Sequence, residues 1–147
     1  IMVRTMAARE IIHTELWTVV DNTFEGLGGP FLRVNFASVP AGGAAEYLAV
    51  ERELWKPLHE ARLAAGHENG WGLYQLMLPG GDEVPYQYAA IDFFETMGDM
   101  TNPFSMDIIQ QAHPGADQAM VDDMMARTTA ARSFHKSELW YRLERIE

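Results

Sequence analysis

Apolar and polar positions alternate between residues 31 and 39, setting Leu32, Val34 and Phe36 against Arg33, Asn35 and Ala37. A period of two places successive side chains on opposite faces of an extended chain, so this segment reads as a strand. Pro40-Ala-Gly-Gly ends it. Over residues 44–65 the period changes. Tyr47, Val50, Leu54, Leu58, Ala61 and Ala65 recur at helical spacing and form one apolar stripe. Gly66 is a C-terminal stop. Pro57 lies inside this helix, cannot donate to Glu53, and is predicted to kink it. Residues 71–78 and 86–95 are again strand-like. The Pro- and Gly-rich loop 79–85 joins them as an antiparallel hairpin.

The flanks fill in the rest. Residues 10–21 are rich in β-branched and aromatic types and are predicted to form a strand. The Gly-rich loop 22–30 follows. Residues 97–114 are irregular, with a short helix over 105–111. A second long helix is predicted over 116–132, with Met120, Met124 and Thr128 inward, and a last strand over 133–146. Strand, helix, strand, strand, helix, strand is the order of a split β-α-β unit, the ferredoxin-like βαββαβ arrangement. The expected fold class is therefore α+β, with an antiparallel sheet and helices on one face. Residues 31–147 would form that domain, and residues 1–30 an N-terminal arm carrying an extra strand. The uncovered sheet face calls for a partner or a ligand.

At 147 residues the chain is expected to be a single domain, and 48% hydrophobic content is ample for a core. A formal charge of −10 argues against nucleic acid and anionic membrane surfaces, which select clustered Lys and Arg. It also serves solubility. No apolar run is long enough to span a membrane. There is no cysteine, which removes disulfides, thiolate chemistry and Cys-based metal sites but leaves the compartment open. The sequence begins at Ile1, so the expectation about a leader peptide stays open.

The segments RVNFASVPAG, ERELWKPLHEARLAAG, GWGLYQLMLPGG and PYQYAAIDFFE resemble a family of small, uncharacterised bacterial proteins in the dimeric α/β-barrel superfamily. The resemblance covers a little under half of the chain. It implies a homodimer or higher homo-oligomer in which two sheets pack face to face. It implies relatives that include antibiotic-biosynthesis-type monooxygenases, haem-degrading enzymes and stress-induced barrel proteins. It also implies an extracytoplasmic location, since such relatives often carry a leader. Because these relatives do different chemistry, the fold alone assigns no reaction.

Candidate chemistry comes from strand faces and one helix stripe. Arg33 and Asn35 share a face of the first core strand. Tyr86, Tyr88, Asp92 and Phe94 share a face of the third, against Ala89, Ile91 and Phe93. The apolar sets are expected against the helices, and the polar sets in the barrel interior or dimer interface. There Asp92 would either fix dimer register within a polar network or orient a substrate and act as a base. Trp55, His59 and Arg62 form a second helical stripe, where His59 reads either as a general base or as a packing residue beside Trp55. Trp71 and Tyr74 lie on opposite faces of their strand, and one of them must approach the pocket. The candidate catalytic residues are thus His59, Asp92 and Tyr74. The candidate binding residues are Arg33, Asn35, Trp55, Trp71 and Tyr88.

No metal or cofactor is expected from the motifs. The five histidines show no i, i+4 or HxH pairing. His113, the nearest match to the axial ligand of haem-handling relatives, is followed by Pro114 and Gly115 in a loop. The methionines from Met97 to Met125 read as adaptable core filler, or as a greasy ligand surface. Finally, HTELW at 13–17 and HKSELW at 135–140 echo each other. This reflects shared β propensity, or two strands paired at similar positions of one sheet or across a subunit boundary; the arm would extend its own sheet or, as the long Gly-rich loop favours, cross to a partner. The leading function is a small-molecule-binding barrel, such as a cofactor-independent oxygenase or isomerase acting on an aromatic or polyketide-like substrate. The alternative is a non-catalytic assembly protein that oligomerises through sheet edges.

Overall fold

A computed structural model describes residues 13–23, 28–80 and 84–144. Its elements are β1 (Leu16–Asn22), β2 (Phe31–Ser38), α1 (Ala44–Val50), a π turn (Glu51–Trp55), α2 (Lys56–Ala64), β3 (Gly70–Leu78) and β4 (Tyr88–Phe94). A 3₁₀ turn (Asp99–Thr101), α3 (Met106–Ala112), α4 (Gln118–Ala131) and β5 (Ser133–Tyr141) complete the described chain. The five strands form one open sheet in the order β1-β3-β4-β2-β5. Every neighbouring pair is antiparallel. Three helical rods, the first made of α1, the π turn and α2, complete an α+β fold compatible with the ferredoxin-like arrangement. Among the described residues no helix is long and apolar enough to cross a membrane.

The first rod shows how the sequence dictates its own geometry. Gly42, at φ +77°, closes the turn before α1, a backbone region that disfavours residues with a Cβ. At the other end Gly66 adopts φ +72°. The Gly66 N–H donates to Leu63 O and the His67 N–H to Arg62 O, the paired bonds of a Schellman stop. Between them the predicted kink at Pro57 takes the form of a π turn. The Lys56 N–H reaches back five residues to Glu51 O, and Pro57 then starts α2. A proline near the first helical position needs no N–H partner, so the rod continues.

Tyr47, Val50, Leu54, Leu58 and Ala61 of the expected stripe are buried, while Ala65 is exposed. Tyr47, Val50, Leu54 and Leu58 pack on Ala37, Trp71, Leu73 and Tyr88 of the sheet. In α4, Met124 and Thr128 are inward as expected, but Met120 is exposed. Met97, Met106 and Met125 are exposed as well, so the methionines as a group are not core filler.

The expected assignment of the strand faces is reversed. The row Arg33–Asp92–Trp71 lies across β2, β4 and β3, and the row Asn35–Ala90–Leu73 lies beside it. Both rows face the helices. Val34, Phe36 and Ala89 face the opposite side, where Val84 and Tyr86 pack over them and Trp17, Leu32, Tyr74, Leu76 and Ile91 surround them. Tyr86 therefore does not share a face with Tyr88. β4 begins only at Tyr88, and the irregular backbone at Gln87 breaks the alternation. The physical reason for the reversal lies in the first rod, which turns Glu51, His59 and Arg62 inward to meet the polar strand positions.

The echo between the chain ends is structural. Glu15 accepts a hydrogen bond from Trp17 Nε1 at 3.0 Å, and Glu138 accepts one from Trp140 Nε1 at 2.7 Å. Alternation sets these residues two apart on the same side of an extended chain. The two indoles stand at opposite ends of the sheet and flank the Phe36 ring at 5.9 and 6.4 Å. β1 pairs along β3 of its own chain, so the arm extends its own sheet rather than crossing away. Residues 10–12 of the expected first strand, and 145–146 of the last, lie outside the described residues.

Asp21 ties β1 to the first rod. Lys56 Nζ lies 2.7 Å from Asp21 Oδ1, and Arg52 Nε 3.4 Å from Oδ2. Burial works to raise the Asp21 carboxyl. Lys56, the Asn22 N–H and Arg52 outweigh it together and hold the group below its ordinary value. A depressed carboxyl contributes stability above its unfolded-state pKa and loses it as pH falls. Asp21→Asn is expected to lower unfolding free energy by about 1 kcal/mol at pH 7. In urea titrations the gap between variant and wild type should close as pH drops through the ordinary aspartate range. A gap that persists unchanged in acid would show that the carboxylate charge is not what ties β1 down.

Candidate active site

The helix-facing rows of the sheet do not close fully against the rods. A cavity of about 370 Å³ remains, lined on the sheet side by Arg33, Asn35, Trp71, Ala90, Asp92 and Ser137. Glu51, Trp55 and His59 line it from the first rod, with Phe104 from the loop before α3 and Arg132 and Phe134 from the α4–β5 junction. Ala90 leaves room because its methyl group is short where its neighbours in the row, Asn35 and Leu73, are longer. The residues spaced 51, 55, 59 and 62 share one side of the rod by helical spacing, and a π turn over Glu51–Trp55 lies at the start of that stripe. Such single π turns recur at functional sites.

His59 stands at the inner end of the cavity. Its ring stacks on Trp71 with centroids 5.4 Å apart and planes 13° apart, and meets the Phe104 ring edge-on at 5.7 Å. Nδ1 lies 3.0 and 3.2 Å from the two oxygens of Glu68. Asp92 Oδ1 is farther, at 3.8 Å. A carboxylate can only accept, so Nδ1 carries a proton and donates to Glu68, which fixes the ring's orientation. Nε2 has no partner among the described residues.

Glu68 is itself held. Its side chain has 0% exposure and accepts from Arg62 Nε at 2.8 Å. Arg62 Nη1 donates to Asn102 O at 2.6 Å, and its guanidinium lies over the Phe104 ring. A buried carboxylate is tolerated when paired and hydrogen-bonded in this way.

Two further ion pairs frame the walls. Arg33 donates through Nε and Nη2 to Asp92 Oδ2, at 2.8 and 2.7 Å. Arg132 Nε donates to Glu51 Oε1 at 3.0 Å. The Arg132 guanidinium lies 4.0 Å from the Phe134 ring centre and 5.7 Å from that of Trp55. Burial, more than any other cause, lifts the Glu51 carboxyl above its ordinary value, with Arg132 pulling the other way. Both arginines keep further N–H groups beyond those these bonds use. Trp71 Nε1 is buried without a partner among the described residues.

The cavity thus gathers Arg33, Asn35, Trp55, His59, Trp71 and Asp92 from the residues singled out in the sequence. It does not gather Tyr74 or Tyr88. Tyr74 points to the other face of the sheet, where it packs with Leu76 and Ile91. Tyr88 belongs to the core, its ring 4.8 Å from Tyr47. The residues that the sequence reading passed over are Glu51, Glu68, Phe104 and Arg132. Glu51 had a signal, since it stands four residues before Trp55 and eight before His59. Glu68 had none, because it follows a helix stop in an irregular segment. His113 is committed elsewhere, with Nε2 3.0 Å from Leu54 O in the π turn. No three His, Asp or Glu side chains gather around a metal-sized site among the described residues.

No protein-family model matches this chain, and no curated protein or solved structure is detectably similar to it.

The geometry separates the roles of His59 and Glu68. Glu68→Ala leaves Arg62 as a buried cation and His59 Nδ1 without its acceptor. It is expected to destabilise the fold by about 3–5 kcal/mol. His59→Asn removes a ring hydrogen-bonded to Glu68 but leaves the Arg62–Glu68 pair in place, and is expected to cost about 1–2 kcal/mol. Thermal melts of the two variants beside wild type measure the order. A Glu68→Ala protein that melts at or above the His59→Asn protein would contradict it.

Proposed function

We propose that the chain binds a small, planar organic acid in this cavity and that His59 Nε2 removes a proton from it. The observation that carries the reading is the His59 ring, which lines a cavity of about 370 Å³ and has its Nδ1 held by Glu68 at 3.0 Å. A general base must be within reach of substrate and held in one tautomer, and the Glu68 bond supplies the second condition. Trp55, Trp71, Phe104 and Phe134 give aromatic walls suited to a flat substrate. Arg33 and Arg132 offer spare donors to a carboxylate or to the oxyanion that forms when the proton leaves. Asp92 orients Arg33, and Asn35 and Ser137 offer polar contacts beside it. The reaction class is isomerase-like proton transfer next to a carbonyl. A cofactor-independent oxygenase on an aromatic or polyketide-like substrate would begin with the same deprotonation.

Phenylpyruvate tests this directly, because it pairs an aromatic ring and a carboxylate with a keto–enol equilibrium visible in the ultraviolet. Wild type is expected to speed the interconversion, and His59→Asn to lose about a hundredfold or more of that acceleration. Glu68→Gln, which keeps the shape, should lower the rate less and shift its pH profile. A wild-type rate equal to buffer, or a His59→Asn variant as fast as wild type, would defeat the proposal.

We further propose that the fold is ferredoxin-like and that two copies meet through the sheet face opposite the helices, as in dimeric α/β barrels. The support is a groove of about 390 Å³ on that face, lined by Leu32, Tyr74, Ile91 and Trp140 among others. Val19, Leu78 and Trp140 are each about half exposed beside it. A patch of this kind on an acidic chain favours a like partner over a polyanion. The assembly alternative draws on the outer sides of β1 and β5, which no strand among the described residues covers, but it leaves the buried His59–Glu68 pair without a purpose. Sedimentation at micromolar concentration is expected to give a dimer, and Ile91→Arg a monomer that melts near the wild-type temperature. A wild-type monomer, or a filament, would reject the face-to-face dimer.

A further inference from the structure

A second cavity adjoins the first. It has a volume of about 280 Å³ and is lined by Trp55, Leu58, Phe104, Ile109, Val121, Met124 and Met125. Trp55 and Phe104 belong to both cavities, so their rings form a shared wall. The two halves of that wall are held differently. Trp55 is fixed by the bond from Nε1 to Thr128 Oγ1 at 3.0 Å. Phe104 stands on the irregular segment before α3, is half-buried, and among the described residues is held by ring contacts alone: edge-on to Trp55 at 5.6 Å and to His59 at 5.7 Å, with the Arg62 guanidinium over its face. One side of the wall is charged and polar; the other carries no charged group. Two of the apolar lining residues are methionines, whose unbranched side chains reshape around an inserted chain.

We propose that the natural ligand is an amphiphile. Its acidic, planar head would occupy the polar cavity, and an aliphatic chain would pass Phe104 into the methionine-lined cavity. The inference rests on the head-group reading of the polar cavity and adds the chemical class of the remainder of the molecule. Each methylene moved from water into that cavity adds affinity until its depth is filled. A ligand of head alone would leave the second cavity with no role. Met125, half exposed at that cavity, gives the tail a route that does not cross the core.

The test uses benzoate, 4-butylbenzoate and 4-hexylbenzoate, each below its aggregation limit, with binding read by isothermal titration calorimetry. Affinity is expected to rise at least tenfold from benzoate to 4-butylbenzoate. Met125→Glu, at an exposed position that leaves the core intact, is expected to remove most of that gain. Val121→Phe, which fills the cavity, provides a second variant with the same expected effect. Equal affinities along the series, or a gain that survives both substitutions, would overturn the tail site even if phenylpyruvate is turned over. Failure of benzoate to bind, together with no phenylpyruvate turnover, would overturn the head-group reading, and the tail site with it.

Discussion

The Glu68 carboxylate, with no solvent access, is the constraint on which the rest of the site depends. It can be buried because His59 and Arg62, on successive inward turns of α2, both donate to it. Once that pair of bonds forms, the rotation of α2 about its axis is settled. The His59 ring must lie flat on Trp71, and Arg62 must reach over Phe104 to the backbone of Asn102. The loop that closes the cavity is therefore held by the same charge that orients the histidine. Taking such a group out of water is costly, and its bonds recover most of that cost rather than adding stability. Its use is specificity of arrangement: one tautomer and one ring plane.

The same bookkeeping of buried charge explains which parts of the molecule were legible in the sequence. Element types and order came through well, because periods of two and 3.6 are direct consequences of backbone geometry. Which residues share a face also came through for Arg33 with Asn35 and for Val34 with Phe36. Which face meets the helices did not. A polar strand face is expected toward water only if its neighbour is apolar, and the partner side of the rod carries Glu51, His59 and Arg62. The stripe of those residues was visible beside the apolar one. Its inward direction depends on the buried partners Glu68 and Arg132, which come from distant, irregular parts of the sequence that no period announces. Tyr86 went to the wrong face for a similar reason, since one irregular residue at Gln87 inverts all alternation before it.

The side without helices follows a different logic. Its centre is closed by the chain itself, through Val84, Tyr86 and Trp17 over Phe36. Glu15 holds two of these parts at once, accepting from Trp17 and from Tyr86 Oη at 2.6 Å, and it is bonded to His13 as well. Burial and this bond to Glu15 push the Tyr86 hydroxyl up to about 12, so it remains a donor across the whole working range of pH. Toward β5 the cover stops, and Leu32, Ile91 and Trp140 are left with an apolar groove. One face thus carries chemistry inside the subunit, and the other carries contact area.

The His59–Glu68 pair sets the state of the His59 ring, and that state can be read directly. Long-range ¹⁵N–¹H correlation spectra of the imidazole report which nitrogen bears the proton. The expected result is a proton on Nδ1, held toward Glu68, and a change in that signal on Glu68→Gln. A ring protonated at Nε2, or one that titrates like a solvent-exposed histidine and ignores the Glu68 substitution, would contradict the role assigned to the pair.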